Sequence, residues 1–195
     1  MSDQLVLQEV DPTAVDQFHV DDENQSSNPL FVAVSTLHAQ DKVADWGGLE
    51  CNARSTIIGV FPTRKHADDA CEREQEDFTM THKDIFHLFG SKCTTFQVIP
   101  CILVKDDTLV HDNPLQVMVV ISTLHAMDDV SRWGGLECNA QTTVIGVYES
   151  ETLAKEACHA EQEHFPMSNN HVFHQDFTNC TTFQIAAFTV ISDEK

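Results

Sequence analysis

The spacing of apolar residues along the chain changes period several times, and the changes come back. From Leu30 to His38 the run LFVAVSTLH is near-continuous and rich in β-branched residues, as expected of a strand buried on both faces, and Val117 to His125 does the same. A polar stretch with a Trp-Gly-Gly turn follows, where glycine permits positive φ. Ser55 to Phe61 (STIIGVF) and Thr142 to Tyr148 (TTVIGVY) predict a second strand. The period then lengthens to that of a helix. Ala67, Ala70, Cys71 and Phe78 match Ala154, Ala157, Cys158 and Phe165, with Thr63 and Ser150 as N-caps. Small residues on that stripe let the helix lie close on a sheet. A loop rich in Phe and His leads to a third strand, over Cys93 to Val104 and Cys180 to Ile191. The predicted unit is ββαβ, twice.

The two copies stand 87 residues apart (Trp46 against Trp133), without a slip between Phe31/Met118 and Val98/Ile185. This divides the chain into a leader over 1–28, a first repeat over 29–104, a connector over 105–115 and a second repeat over 116–195. One helix and three strands are too few to cover both faces of a sheet. The expected fold is therefore α+β, with tandem duplicated ββαβ units packed as one pseudo-two-fold body. The leader carries seven acids and no Lys or Arg, and ends in the soluble tract DDENQSSNP.

The signature Ile-Gly-Val-(Phe/Tyr)-x-(Ser/Thr)-x-x-x-Ala-x-x-Ala, at Ile58–Ala70 and Ile145–Ala157, resembles small fungal proteins of unassigned function that carry an "IIGVY-S-EEA-A" module. The resemblance covers most of each repeat. It implies an α+β module and no activity.

Charge narrows the partners. A net charge of −20, with no local Lys/Arg cluster, would repel a nucleic-acid backbone and an anionic membrane. The N-terminus lacks a basic segment followed by an apolar one, and no apolar run reaches the length of a bilayer span, so a cytoplasmic or nuclear location is expected. The seven cysteines, an odd count without a Cys-x-x-Cys pair, are then expected to be thiols. No cofactor motif is present and no cofactor is expected.

Differences between the copies fall on the helix exterior and loop tips, whereas identity gathers in STLHA, WGGLECNA and CTTFQ. The eight-residue WGGLECNA block reads in two ways. It is either an ordered loop in which Trp covers the sheet edge and Asn bonds local backbone, or a rim that binds a partner. On the second reading the binding residues are Trp46, Gly47, Gly48, Glu50 and Asn52, with Trp133, Gly134, Gly135, Glu137 and Asn139. His38, Cys51, His87 and Cys93 form a legal zinc set, but they lack the close ligand pair of structural zinc sites, so buried thiols and satisfied histidines are the commoner reading. Cys51 with His38, and Cys138 with His125, are the candidate thiol–imidazole pairs for nucleophilic chemistry. Glu74 and Glu161 stand on the predicted inward stripe, where a carboxylate is costly unless paired, and are acid/base candidates; the alternative is a helix end where they reach water. Cys71, Cys158 and Cys101 read as core, and His159, His164 and His171 as surface.

Two functions follow. The first is an acidic intracellular interaction protein whose paired Trp-Gly-Gly loops meet a protein or small-molecule ligand. The second is a small α+β enzyme or ligand-binding protein with a His/Cys/Glu site at the repeat interface.

Overall fold

β-Branched residues crowd the backbone out of helical conformations and pack well on a pleated surface, and the longest such runs become the central strands. The computed structural model describes residues 29–39, 53–82, 84–89, 92–108, 115–126, 139–169, 171–175 and 179–190. In the first half, β1 (Leu30–Ala39), β2 (Arg54–Phe61), α1 (Arg64–Gln75), β3 (Met80–His82), β4 (Ile85–Phe89) and β5 (Lys92–Cys101) form a sheet of order β2-β1-β5-β4-β3. A two-residue strand, β6 (Leu103–Val104), follows. The second half runs through β7 (Gln116–Ala126), β8 (Asn139–Tyr148), α2 (Glu151–Gln162), β9 (Met167–Asn169), β10 (Val172–His174) and β11 (Asn179–Thr189), in the order β6-β8-β7-β11-β10-β9. All pairings are antiparallel except β6 with β8, which is parallel. The fold is α+β. Among the described residues, no helix is long and apolar enough to cross a membrane.

The expected loop rich in Phe and His is a tight hairpin in both halves. His82 pairs with Ile85 and Asn169 with Val172, with Asp84 and His171 at φ of 63° in the turns. The order is therefore ββαβββ rather than ββαβ. The phenylalanines fill the hairpin's outer face. Phe78, Phe86 and Phe96 stack edge-to-face with centroids 5.2–6.1 Å apart, as do Phe165, Phe173 and Phe183 at 5.1–6.1 Å. Edge-to-face contact sets the positive rim of one ring against the negative face of the next. The third strand also ends earlier than the pattern suggests, because the chain leaves β5 and crosses to the other sheet as β6.

Both helices start at the expected caps. The Thr63 hydroxyl accepts from the His66 amide and that of Ser150 from the Leu153 amide, satisfying one otherwise orphaned donor at each helix start. Ala67, Ala70 and Cys71 then pack on Ala33 and Phe61, and Ala154 and Cys158 on Val120 and Tyr148. Each second strand carries a bulge, opposite Ala33/Val34 and Val120/Ile121, just before Gly59 and Gly146. These glycines lie under the next aromatic ring. A Cβ on Gly59 would stand 2.7 Å from the Phe61 ring, and one on Gly146 would stand 2.5 Å from the Tyr148 hydroxyl. That close approach accounts for the Gly-Val-(Phe/Tyr) spacing.

The faces turned away from the helices meet each other. Leu30, Val32, Val34, Ile57 and Val60 of the first sheet form one buried cluster with Val117, Val119, Ile121 and Val147 of the second. The layers run α1, first sheet, second sheet, α2. Alternation along β1 puts Val32, Val34, Thr36 and His38 on this inner face in sequence, so the seam changes from apolar to polar toward the end of the strand.

Candidate functional site

The polar end of the seam holds four buried hydroxyls, two from each half. Thr36 bonds Thr142 at 2.6 Å, Ser55 bonds Thr142 at 2.5 Å, and Ser55 bonds Thr123 at 2.7 Å. Within each sheet Thr36 stands opposite Ser55, and Thr123 opposite Thr142, so the chain of bonds crosses the seam in both directions. A hydroxyl is costly to bury alone but tolerable when paired. Here each sheet supplies the partners the other needs. One step further along lie His38 and His125, each with 0% exposure. His38 Nε2 shares a hydrogen bond of 3.0 Å with Thr95 Oγ1, and His125 Nε2 one of 3.1 Å with Thr182 Oγ1. Burial pulls the His38 imidazole down to about 4, so it is neutral at pH 7.

Cross-strand register explains two of the three identical blocks. STLHA lies on β1 and CTTFQ on β5, and they face each other: His38 opposite Cys93, and Thr36 opposite Thr95. His125 stands opposite Cys180 and Thr123 opposite Thr182 in the second half. These residues are identical because they form the polar layer and its supports. The serine and threonine positions carried no chemical signature in the sequence. The signal that could have found them is the period-two continuation of the buried valines of β1 into Thr36 and His38.

Of the zinc set, the register aligns His38, Cys93 and His87 in one row across β1, β5 and β4. Among the described residues, no group of three or more His, Cys, Asp or Glu is gathered closely enough to hold a metal ion. Cys51 and Cys138 lie outside the described residues. Burial pushes the Cys93 thiol up to about 11, so at neutral pH it is a protonated thiol beside a neutral imidazole, without the thiolate that nucleophilic attack requires. Cys71, Cys93, Cys101 and Cys158 are free thiols, and Cys71, also raised to about 11 by burial and by the Asp68 and Glu74 charges, is part of the helix–sheet core as expected. Cys101 is half-buried against the seam cluster.

Glu74 and Glu161 do not face the sheet. Both are exposed in the last turn of their helices, so of the two readings the one in which the carboxylate reaches water holds. An open groove of about 400 Å³ runs along α1 beside β5, lined by Arg64, Asp68, Cys71, Gln75 and Phe96 among others. His159, His164 and His171 are exposed.

The binding candidates Trp46, Gly47, Gly48, Glu50, Asn52, Trp133, Gly134, Gly135 and Glu137 lie outside the described residues, and Asn139 is described only as the first residue of β8. Their attachment points are described. Ala53, where the first loop returns, and Ala140, where the second returns, are 2% and 3% exposed and pack against each other across the seam. Both loops therefore spring from the same end of the molecule, directly beyond the two histidines.

Replacing Thr142 by valine keeps the shape but strands the Thr36 hydroxyl. We expect a loss of about 2 kcal/mol in urea unfolding, and a Thr36→Val/Thr142→Val pair that loses clearly less than the sum of the singles. Additive losses would mean that the two hydroxyls do not depend on each other.

No protein-family model, curated protein or solved structure matches the chain.

Proposed function

We propose that this is an interaction protein built from two tandem duplicated units related by a pseudo-two-fold axis. On this reading the Trp-Gly-Gly loops of both units act together at one end, on a protein or small-molecule ligand. The observation that carries it is the contact of Ala53 with Ala140, which roots both loops at one point. Support comes also from what the described residues already explain. STLHA and CTTFQ are needed by the seam, and of the WGGLECNA blocks Ala53 and Ala140 pack in it. The high thiol and low imidazole pKa values turn the His38–Cys93 pair away from catalysis and toward structure. The acidity of the chain, at −20, favours a partner without a large negative surface.

Loops rooted together predict one composite surface per chain rather than two independent ones. Partner capture followed by calorimetric titration tests this. One ligand per chain is expected, with Trp46→Ala and Trp133→Ala each weakening the same complex about thirtyfold, the effect of losing an anchor worth about 2 kcal/mol. Two ligands per chain, with each variant abolishing one, would contradict the composite surface. Unchanged binding in the double variant would end the interaction reading.

A further inference from the structure

The β3–β4 hairpin and its counterpart β9–β10 share little sequence. Over 79–87 and 166–174, TMTHKDIFH against PMSNNHVFH, only the methionine, the phenylalanine and the last histidine are the same. The phenylalanines are accounted for by the edge-to-face trios. Met80/Met167 and His87/His174 are not: the methionines are 53% and 41% exposed, so neither is sequestered in a core, and the histidines are half-buried. Strand register ties each pair to a third residue. Met80 stands opposite His87, and His87 opposite Cys93; Met167 stands opposite His174, and His174 opposite Cys180. Residues directly opposite on neighbouring strands share a face, with Cβ atoms about 4.5–5.5 Å apart. Each half therefore carries a thioether, an imidazole and a cysteine sulfur in one row, from solvent at the edge strand to a cysteine with 0% exposure.

We propose that Met80, His87 and Cys93, and likewise Met167, His174 and Cys180, form two equivalent binding sites for monovalent copper. Two soft sulfurs with one imidazole suit Cu(I), which thiolate and thioether ligands select. Zinc fits poorly. Its structural sites draw four ligands from Cys, His and carboxylates, and among the described residues no third group of that kind is gathered at either row. His38 and His125 continue the rows beyond the cysteines, but their Nε2 atoms are engaged by Thr95 and Thr182. A thioether carries no proton and an imidazole binds in its neutral form, so the thiol gives up the one proton that leaves. The Cys93 S–H bond breaks as the S–Cu bond forms, copper stays monovalent, and the proton passes to solvent. Burial holds that proton up to about 11, so only a metal that bonds sulfur strongly displaces it. The net charge of −20 draws cations toward the exposed methionines. Nothing in this depends on what the Trp-Gly-Gly loops bind.

Titration of the reduced full chain with Cu(I), supplied as its bicinchoninate complex and read by competition, tests this, with the methionine methyl signals followed by NMR. Copper is expected to move the methyl signals of Met80 and Met167 and to leave that of Met118 in place. Met80→Leu with Met167→Leu, which exchanges exposed apolar side chains of like size, should weaken binding at these sites about tenfold. His87→Gln with His174→Gln should weaken it about a hundredfold, since losing even a group that supports a ligand costs ten- to about a hundredfold. Methyl signals of Met80 and Met167 that stay in place while copper binds, or affinities unchanged in both double variants, overturn the proposal and put the copper on other thiols. Zn(II) bound as tightly as Cu(I), with the same methyl shifts, overturns the assignment to copper.

Discussion

Replacing Ile121 by alanine is expected to lower stability by about 3–4 kcal/mol, because the side chain is fully buried and its loss leaves a cavity that a close-packed core fills only in part. For a chain of this length that is a fall of about 10 °C in melting temperature. Ile121 belongs to the cluster that both sheets share, so the loss should fall on the first half as well as on the second. Hydrogen exchange checks the point. Amides of β1 and β2 should lose protection along with those of β7 and β8. Loss confined to the second half would mean that the halves unfold separately.

The second large effect is an acid lability that belongs to His38. Its imidazole ionises near 4 in the folded protein against an ordinary 6.5, because burial disfavours the charged form. Above 6.5 neither state binds the proton and nothing is lost. As pH falls from 6.5 toward 4 the unfolded chain binds the proton and the folded chain does not, so stability declines. By pH 4.5 the difference is about 2.5 kcal/mol. Protonation of surface carboxylates relieves the repulsion within a chain of net charge −20 and acts in the opposite direction. The comparison must therefore be made against His38→Gln, which removes the titration and retains a hydrogen-bonding group for Thr95. Urea midpoints at pH 7 and pH 4.5 give the result. Wild type should lose about 2.5 kcal/mol more than the variant over that interval, and an equal loss in both would contradict the assignment.

What could be read from the sequence follows how long each pattern is and how local its cause. β1 and β7 were legible because ten or so β-branched and apolar residues in a row have few alternatives. α1 and α2 were legible because Thr63 and Ser150 announce a helix whose small residues then recur at its period. The hairpins were not legible: Met80–His82 and Met167–Asn169 are three residues each, too short to show alternation, and no glycine stands at Lys83-Asp84 or Asn170-His171. The spacing of Glu74 left open whether it faces the sheet or reaches water, because helical spacing gives direction around the axis but not how far the sheet extends beneath it. The hydroxyl layer was hidden for a different reason. Thr36 and Thr142 are far apart in sequence, and only the meeting of two sheets makes either one costly or useful. The pairing of STLHA with CTTFQ likewise needed the strand register before its identity could be assigned to structure.

That the two Trp-Gly-Gly loops are rooted together is tested most directly by a cross-link at their bases. Ala53→Cys with Ala140→Cys, introduced together in the full chain and mildly oxidised while folded, should give a disulfide within one chain, read by mass spectrometry as a peptide joining positions 53 and 140. Neighbouring buried positions can be bridged this way, and distant ones cannot. A 53–140 link formed in the monomer, and lost when the chain is unfolded before oxidation, is the predicted result. Folded monomer with no such link, or with links only between separate chains, would contradict the shared seam and the composite surface with it.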